Sequence, residues 1–439
     1  MKKYLALVLA LVMALSLVAC GNKTAEEPSG DGDATEAAGR VFWLNFKPEA
    51  DGTLQKVAAM YTEKTGVPVT IQTAASGTYN ETLTAAMDKE APPTMFVVGN
   101  QAAVDTWGDY CYDLTGTPIA GELTTDAYNL YDADGKLCSI GYCYECYGII
   151  VNEDLLAKAG YQLSDITNFE TLKAVAEDIH SRAAELGFDA FTSSSMSSDS
   201  SWRFTGHLAN LEYYYESVDD PDAWKVCPPS IKGTYMQNFK NLWDLYINNS
   251  AFNPNTLATG GYDAEAEFGK GQAVFYQNGS WEYDALTNTY GMNPADLTMI
   301  PFYAGVAGEE KAGLNSGTEN CWAVNAKASQ ADIDATLDFM YWLVTSETGT
   351  KKLAQTFGAI PYKKAAPSGN VFLDAANEYS QKGNYVMTWA FNYTPSVDNW
   401  RAGVVSAMNQ YDAAQTDANW KAVETAFVKG WENYYKMEH

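Results

Sequence analysis

Residues 40–73 read RVFWLNFKPEADGTLQKVAAMYTEKTGVPVTIQT, and this stretch decides the fold class. The apolar runs at 41–44 and 67–72 each predict a strand. Between these two runs, apolar residues recur at the helical spacing of three and four, at Leu54, Val57 and Tyr61. Because two strands joined through a helix need a crossover, we expect parallel pairing and an α/β fold.

The same alternation continues outward from this stretch. Further strands are predicted at 94–98, 149–151 and 273–276, and helices at 79–89, 153–159, 169–186 and 417–437. Another helix is predicted to begin at Trp281, with Ser280 as its N-cap. A chain of 439 residues is long enough for two such α/β domains.

The first 39 residues predict an export signal followed by a tether. Lys2 and Lys3 precede a short apolar stretch that ends in Leu17-Val-Ala-Cys20-Gly21, which is similar to the lipobox of bacterial lipoproteins. This similarity implies cleavage after residue 20 and a lipid on Cys20. Residues 21–39 contain no aromatic residue and predict a flexible acidic tether. We therefore expect a protein anchored by lipid alone at the outer face of the cell membrane, or in the periplasm of a Gram-negative cell.

Charge and composition disfavour several classes of function. The chain has 28 Lys and Arg against 55 Asp and Glu, a net charge of −27, whereas nucleic-acid-binding proteins carry basic patches. Its three histidines, at 180, 207 and 439, offer little material for a metal site or a histidine-based relay. We expect no nucleic-acid partner, no cofactor, no metal and no catalysis.

Six cysteines remain once Cys20 is assigned to the lipid: Cys111, Cys138, Cys143, Cys146, Cys227 and Cys321. An even number in an exported protein allows disulfides, but the sequence chooses neither a pairing nor buried free thiols. The C-x4-C-x2-C spacing from 138 to 146 also occurs at iron–sulfur sites. The segment around it predicts extended chain, so we do not expect a cluster.

The chain is rich in aromatic residues, with 12 Trp and 29 Tyr. Several of them fall at the ends of predicted elements: Trp43, Tyr79, Trp202, Trp281, Trp389 and Trp400. Ligands bind at the strand ends of open α/β sheets. An aromatic ring there can stack on the C–H face of a pyranose while nearby polar groups bind its hydroxyls. Together these residues predict a carbohydrate cleft.

Three segments carry a resemblance to a known family. They are Tyr147-Gly-Ile-Ile-Val-Asn152-Glu-Asp, Phe268-Gly-Lys-Gly-Gln-Ala-Val-Phe-Tyr-Gln-Asn-Gly-Ser-Trp281 and Gly358-Ala-Ile-Pro361. With the lipobox, they resemble the family 1 extracellular solute-binding proteins of carbohydrate ABC importers, which include maltose-binding protein. The resemblance runs from about residue 40 to the C-terminus.

This resemblance implies a type II periplasmic-binding-protein fold with two lobes and a ligand cleft at the hinge. Lobe 1 would take residues 40–147 and 303–357, and lobe 2 residues 148–302 and 358–439. It also implies a monomer that captures a sugar, in our reading an oligosaccharide, by hinge closure and delivers it to the transmembrane subunits of an ABC permease.

The resemblance also implies roles for particular residues. Trp281 and Trp400 match stacking tryptophans, and Glu145 matches a hydroxyl-binding acid. The expected polar contacts after the first and third strands are Asn45, Lys47, Asn100 and Gln101. The family's acidic and arginine groups are absent at 100–101, which argues against a maltose ligand. Further cleft candidates are Tyr79, Trp202, Trp389, Glu319 and Asn320, with Arg203, Asn315 and Thr318 on weaker grounds.

Two other interpretations stay open. The same receptor fold could bind a peptide, a polyamine or a metal ion, and the acidic composition suits a polyamine. A lipid-anchored glycoside hydrolase would need two carboxylates flanking the scissile bond. No acidic pair in this sequence is marked by its context as an acid and a nucleophile.

Overall fold

The computed structural model describes residues 39–75, 77–218, 227–358 and 360–439. Its strands, β1 to β12, are Val41–Asn45, Val69–Thr73, Met95–Val97, Leu130–Tyr131, Leu137–Gly141, Glu145–Asn152, Asp189–Phe191, Ala273–Gly279, Leu297–Ile300, Ala312–Gly317, Cys321–Val324 and Tyr385–Thr388. Its α-helices, α1 to α14, are Asp51–Thr65, Tyr79–Met87, Gln101–Trp107, Glu153–Lys158, Phe169–Ser181, Ala183–Leu186, Asn210–Ser217, Met236–Asn248, Ala264–Gly269, Gln330–Thr345, Glu347–Phe357, Val371–Gln381, Val397–Ala413 and Asp417–Glu438. The predicted α/β class is confirmed.

The first sheet has the strand order β2-β1-β3-β11-β5-β4. β1 pairs in parallel with both β2 and β3, as the crossover spacing predicts, whereas β11 pairs antiparallel with β3 and β5. Helix α1 buries Leu54, Val57 and Tyr61, and Gly66 ends it with a positive φ of 79°, a conformation that glycine adopts without strain.

The second sheet has the order β12-β10-β6-β8-β7, and β9 also pairs with β6. β6 is the long central strand, and all eight of its residues are buried. Helices α13 and α14 pack on this lobe through large aromatic side chains, among them Trp420, Phe427 and Trp431. Each sheet therefore lies in a separate hydrophobic core, and the protein is two-lobed.

Two of the segments that pass between the lobes run side by side. Residues 142–144 lead from β5 to β6, and 318–320 lead from β10 to β11. The amide of Tyr142 donates to the carbonyl of Asn320 at 2.8 Å, so the two crossings are hydrogen-bonded to each other. By strand pairing the chain stays with the second sheet through Gly317, so its return to lobe 1 begins later than the predicted residue 303.

Two helix predictions differ from the structure. The predicted helix 169–186 is divided at Arg182 into α5 and α6. Ser280 does not cap a long helix, because it is the first residue of a short 3-10 turn, Ser280–Glu282, whose N-cap is Gly279. The hydroxyl of Ser280 instead accepts a hydrogen bond from the amide of Cys146 at 3.2 Å.

The predicted signal and tether, and Cys20 with them, lie outside the described residues. Across the described ranges, none of the helices combines the length and apolar character needed to span a bilayer. The six cysteines at 111, 138, 143, 146, 227 and 321 are free thiols in the structure.

The cleft between the lobes as a candidate ligand site

A cavity of about 270 Å³ lies in the cleft between the two lobes. It is lined from lobe 1 by residues that follow β1 and β3, from lobe 2 by residues that follow β8 and β12, and by the crossing segments. Carboxyl ends of parallel strands are the usual place for a ligand in an open α/β sheet. The topology therefore gathers the ends of distant strands around one cavity.

Lobe 2 contributes an aromatic wall to this cavity. The imidazole of His207 stacks on Tyr147 with a centroid distance of 4.0 Å and an interplanar angle of 11°. Trp202 lies edge-on to His207 at 5.0 Å and 6.0 Å from Trp281. Trp389 and Phe391, at the end of β12, continue this wall. Flat rings of this kind offer an apolar surface to a ligand.

A buried ion pair between lobe 1 and the first residue of β6 faces this wall. Lys47 Nζ lies 2.8 Å from Glu145 Oε1 and 3.2 Å from Glu49 Oε1. Asn320 Nδ2 donates to the other oxygen of Glu145 at 2.7 Å. The Lys47 ammonium also lies 5.2 Å from the centre of the Trp281 ring, so it links lobe 1 to the wall of lobe 2.

Electrostatics keeps Lys47 charged in this position. Burial by itself lowers the pKa of Lys47, but the carboxylates of Glu145 and Glu49 outweigh it, and the pKa is raised above its usual value. Asn45 supports the geometry, because its side-chain amide donates to the carbonyl of Lys47 at 2.6 Å and accepts from the amide of Lys47 at 3.1 Å.

Three charged side chains of the cavity make no hydrogen bond or ion pair within the described ranges: Glu319, Asp398 and Arg401. The Nε atom of Arg401 is enclosed and has no hydrogen-bond partner among the residues that the structure describes. Burial raises the pKa of Glu319, and the neighbouring cations Arg401 and Lys47 oppose that shift. Because an unsatisfied polar group is costly when it is enclosed, Arg401 is suited to bind a polar ligand. Glu319 is half-buried and Asp398 is exposed, and both line the same cavity.

Nine of the twelve predicted ligand-binding residues line this cavity. They are Trp281, Glu145, Lys47, Asn100, Tyr79, Trp202, Trp389, Glu319 and Asn320. Asn100 and Tyr79 also make hydrogen bonds that hold lobe 1 together. The Asn100 side chain caps α3 through the amide of Ala103, and the Tyr79 hydroxyl accepts from the amide of Val97.

The other three predicted residues lie outside the cavity, and Trp400 is the clearest correction. Its indole is 1% exposed, donates to the carbonyl of Phe427 at 2.9 Å and packs edge-on against that ring. Asn45 is fully buried and braces Lys47. Gln101 lies on the surface, where its side chain donates to the carbonyl of Tyr131 at 3.2 Å.

Two of the weaker candidates also have structural partners. Arg203 is buried and donates to the carbonyls of Gln277 and Ser193. Asn315 accepts from Asn210 inside lobe 2. Neither lines the cavity, and Thr318 does not line it either.

The cavity residues that sequence reasoning missed include His207, Phe391, Asp398 and Arg401. A signal existed for the last two. They lie three positions apart on α13, so their side chains are neighbours on one side of the helix, at the edge of the buried stripe that contains Trp400 and Val404. His207 gave no signal, because a lone histidine in an apolar segment is indistinguishable from a core residue.

Within the described ranges, no group of three or more His, Cys, Asp or Glu side chains is placed to hold a metal ion. The thiols of the C-x4-C-x2-C segment do not converge on one point. Burial raises the pKa of Cys143 and of Cys146, which keeps both thiols protonated.

A two-lobed α/β fold with a lined cavity at its hinge defines a ligand-binding protein. The sequence profile of the bacterial extracellular solute-binding proteins matches residues 56–383, and the chain belongs to that family. No curated protein matches the chain by sequence.

Solved structures share the fold at low sequence identity. The solute-binding protein RafE in complex with raffinose has a TM-score of 0.69 and 15% identity, covering 90% of this chain and 99% of that one. The GacH receptor of Streptomyces glaucescens, solved unliganded and with acarbose, has a TM-score of 0.67 and 17% identity over 91% and 99%. A sugar transporter from Bacillus licheniformis in complex with stachyose has a TM-score of 0.61 and 15% identity over 90% and 99%.

Proposed function

We propose that this protein is the substrate-binding subunit of a carbohydrate ABC importer. The single observation that carries the proposal is the pairing of an aromatic wall with charged groups that have no hydrogen-bond or ion-pair partner among the described residues. Trp281 and Trp202 offer ring faces, and Glu319, Asp398 and Arg401 offer open hydrogen-bonding capacity. A sugar ring needs both kinds of surface, because its C–H faces are apolar and its edge carries hydroxyls.

The solved relatives support a sugar as the ligand, since those named above were solved with raffinose, acarbose and stachyose. We propose that the site comprises the nine predicted residues that line the cavity, together with His207, Phe391, Asp398 and Arg401. Asn45 takes part only by supporting Lys47, and Trp400 and Gln101 are left out.

The roles of the lining residues differ. Lys47 and Asn320 each donate a hydrogen bond to Glu145, so these three residues form a fixed polar surface of the cavity. Both oxygens of Glu145 are engaged in this way, so it is a poor acid or nucleophile for a glycosidase. We propose that the protein binds its sugar without chemical conversion and delivers it to the permease as a monomer, held at the membrane by a lipid on Cys20.

The test is a thermal-shift screen followed by calorimetry on the purified protein. A ligand that binds only the folded state stabilises it by a free energy of RT ln(1 + [L]/Kd), and this stabilisation raises the melting temperature. The panel contains raffinose, stachyose, maltotriose and chitotriose, with spermidine and a tripeptide as competing ligand classes. We expect a rise with at least one sugar. If only spermidine or the tripeptide raises the melting temperature, the protein keeps its solute-binding fold but its ligand is not a carbohydrate.

Membrane attachment is tested separately. We expect the wild-type protein to fractionate with membranes and the Cys20→Ala variant to be released. Equal fractionation of both variants would contradict the proposed lipid anchor without affecting the sugar assignment.

A further inference from the structure

His207 is held in the cleft by an unusual local backbone and by ring stacking. It belongs to a π-helical turn, Arg203–Leu208, and such turns occur often at functional sites. Its side chain is 6% exposed, and one face of the imidazole is covered by Tyr147 at 4.0 Å. Trp202 meets the imidazole edge-on at 5.0 Å. These contacts fix the orientation of the imidazole before a ligand arrives.

The two ring nitrogens of His207 differ in their surroundings. Nδ1 is enclosed and has no hydrogen-bond partner in the described part of the chain. Nε2 has no protein partner there either, but it is not enclosed, and the residue lines the cavity. Because an orphaned buried N–H is rarer in proteins than an unused acceptor, the proton is expected on Nε2. The imidazole then offers an N–H donor to the cavity.

The charges around His207 oppose a second proton. Burial, followed by the nearby cations Arg401, Lys47 and Arg203, lowers the pKa of His207 well below its usual value. The other groups packed against it are the rings of Tyr147, Trp202, Trp281, Trp389 and Phe391. A second proton would also create an enclosed N–H on Nδ1 without an acceptor. The side chain therefore acts as a neutral donor.

We infer that His207 is a specificity-determining residue, which donates one hydrogen bond from Nε2 to an uncharged oxygen of the bound ligand. A hydroxyl or a ring oxygen accepts this bond, whereas an ammonium group cannot. A cationic ligand would leave the donor unpaired, so His207 selects a sugar against a polyamine. The inference rests on the proposed carbohydrate function, because it describes how the same cleft chooses its ligand.

The first part of the test uses ¹⁵N-histidine labelling and NMR. The chain has three histidines, so the spectrum contains three pairs of nitrogen signals, and the His207→Phe variant assigns those of His207. We expect a neutral, Nε2-protonated imidazole throughout the range from pH 5 to pH 8. Raffinose, and then the other sugars of the panel, are added at pH 7. We expect a sugar that raises the melting temperature to shift the Nε2 signal.

The second part measures affinity in two variants. His207→Phe keeps a ring on Tyr147 but removes the donor, and His207→Gln places an amide N–H near the position of Nε2. We expect His207→Phe to weaken sugar binding by about tenfold or more and His207→Gln to recover part of the loss, in line with one hydrogen bond to an otherwise unpaired donor. The ligand-free melting temperatures of the variants check that both proteins fold.

The outcomes separate the inference from the proposed function. If a sugar binds wild type and His207→Phe equally, or binds without moving the Nε2 signal, the specificity role is overturned while the carbohydrate assignment stands. A charged imidazole at pH 7 would also overturn it. If no sugar binds wild type, the proposed function itself fails, and the role of His207 fails with it.

Discussion

Losing one member of the buried ion pair between Lys47 and Glu145 should cost more stability than losing one member of an exposed ion pair. Lys47 Nζ lies 2.8 Å from Glu145 Oε1, and the two side chains are 10% and 4% exposed. Lys47→Met keeps the apolar stem but leaves a buried carboxylate with Asn320 as its remaining partner. Removing one member of a buried pair costs about 3–5 kcal/mol, so we expect a loss of this size.

Lys158→Met is the matched control. Lys158 Nζ lies 2.6 Å from Asp154 Oδ2, but these side chains are 60% and 51% exposed. The same atoms are removed at a similar distance, so burial is the main difference between the two pairs. An exposed pair is worth about 0–1 kcal/mol because solvent screens it, and we expect the control to stay within that range.

The pH dependence follows from the sign of the pKa shift. Burial lowers the pKa of Lys47, but Glu145 and Glu49 outweigh it and the net shift is upward. A raised lysine pKa contributes stability that is fully present below the unfolded-state value of about 10.4 and is lost as the pH rises through the folded-state value. The difference between wild type and Lys47→Met should therefore be the same at pH 6 and pH 9.

Urea unfolding of wild type and the two variants measures these differences, with the slopes compared to verify that the unfolding reaction is unchanged. The reasoning is refuted if Lys47→Met costs no more than Lys158→Met, or if its cost disappears between pH 6 and pH 9.

Three further predictions concern the cleft and the cores. Trp281→Ala should weaken sugar binding by about 2–4 kcal/mol in calorimetry, as expected for a central aromatic contact. Trp400→Phe is the control and should leave the affinity unchanged. Equal losses of affinity in the two variants would contradict the placement of Trp400 in the core. Burial, followed by the charge of Glu265, raises the pKa of Glu282 to about 8. A carboxyl group with a raised pKa costs stability as the pH rises from its pKa in the unfolded state to its pKa in the folded state. Relative to wild type, Glu282→Gln should therefore gain up to about 3 kcal/mol of unfolding free energy between pH 5 and pH 8, and a flat difference would refute this. Asn210→Ala should lower the free energy of unfolding by about 2–4 kcal/mol, because Asn210 is fully buried and its side-chain amide makes three hydrogen bonds to other segments. A loss of under about 1 kcal/mol in urea unfolding would contradict this prediction.

The local elements could be predicted because they depend on residues close in sequence. The β1-α1-β2 unit follows from two apolar runs and one helical stripe, and the structure pairs these strands in parallel. The position of Trp281 just after β8 follows from the same kind of pattern. Strand ends meet the cleft in this fold, so residues near strand ends were good candidates for the site.

Long-range pairing could not be predicted in the same way. β11 lies between β3 and β5 although more than 170 residues separate it from either strand in the sequence, and no local pattern specifies that neighbour. The return to lobe 1 was therefore placed too early along the chain. The π-helical turn at His207 was equally hidden, because one extra residue in a turn barely alters a helical hydrophobic pattern.

Trp400 shows how a site residue can be misassigned by one position. Its helix α13 presents Trp400, Val404 and Tyr411 to the core, and Asp398 and Arg401 line the cleft. The family resemblance implies that Trp400 stacks on the ligand, although its spacing from Val404 already fits a buried stripe.

The most direct test of the account is calorimetric titration of the purified protein with the sugar that gives the largest thermal shift, repeated on Trp281→Ala and Arg401→Met. Trp281 represents the aromatic wall of the cleft, and Arg401 represents its charged groups, which have no hydrogen-bond or ion-pair partner in the part of the chain that the structure describes. The account predicts saturable binding of one sugar to wild type, with a loss of at least tenfold in each variant. Unchanged affinity in both variants would contradict the central claim that a sugar binds in this cleft.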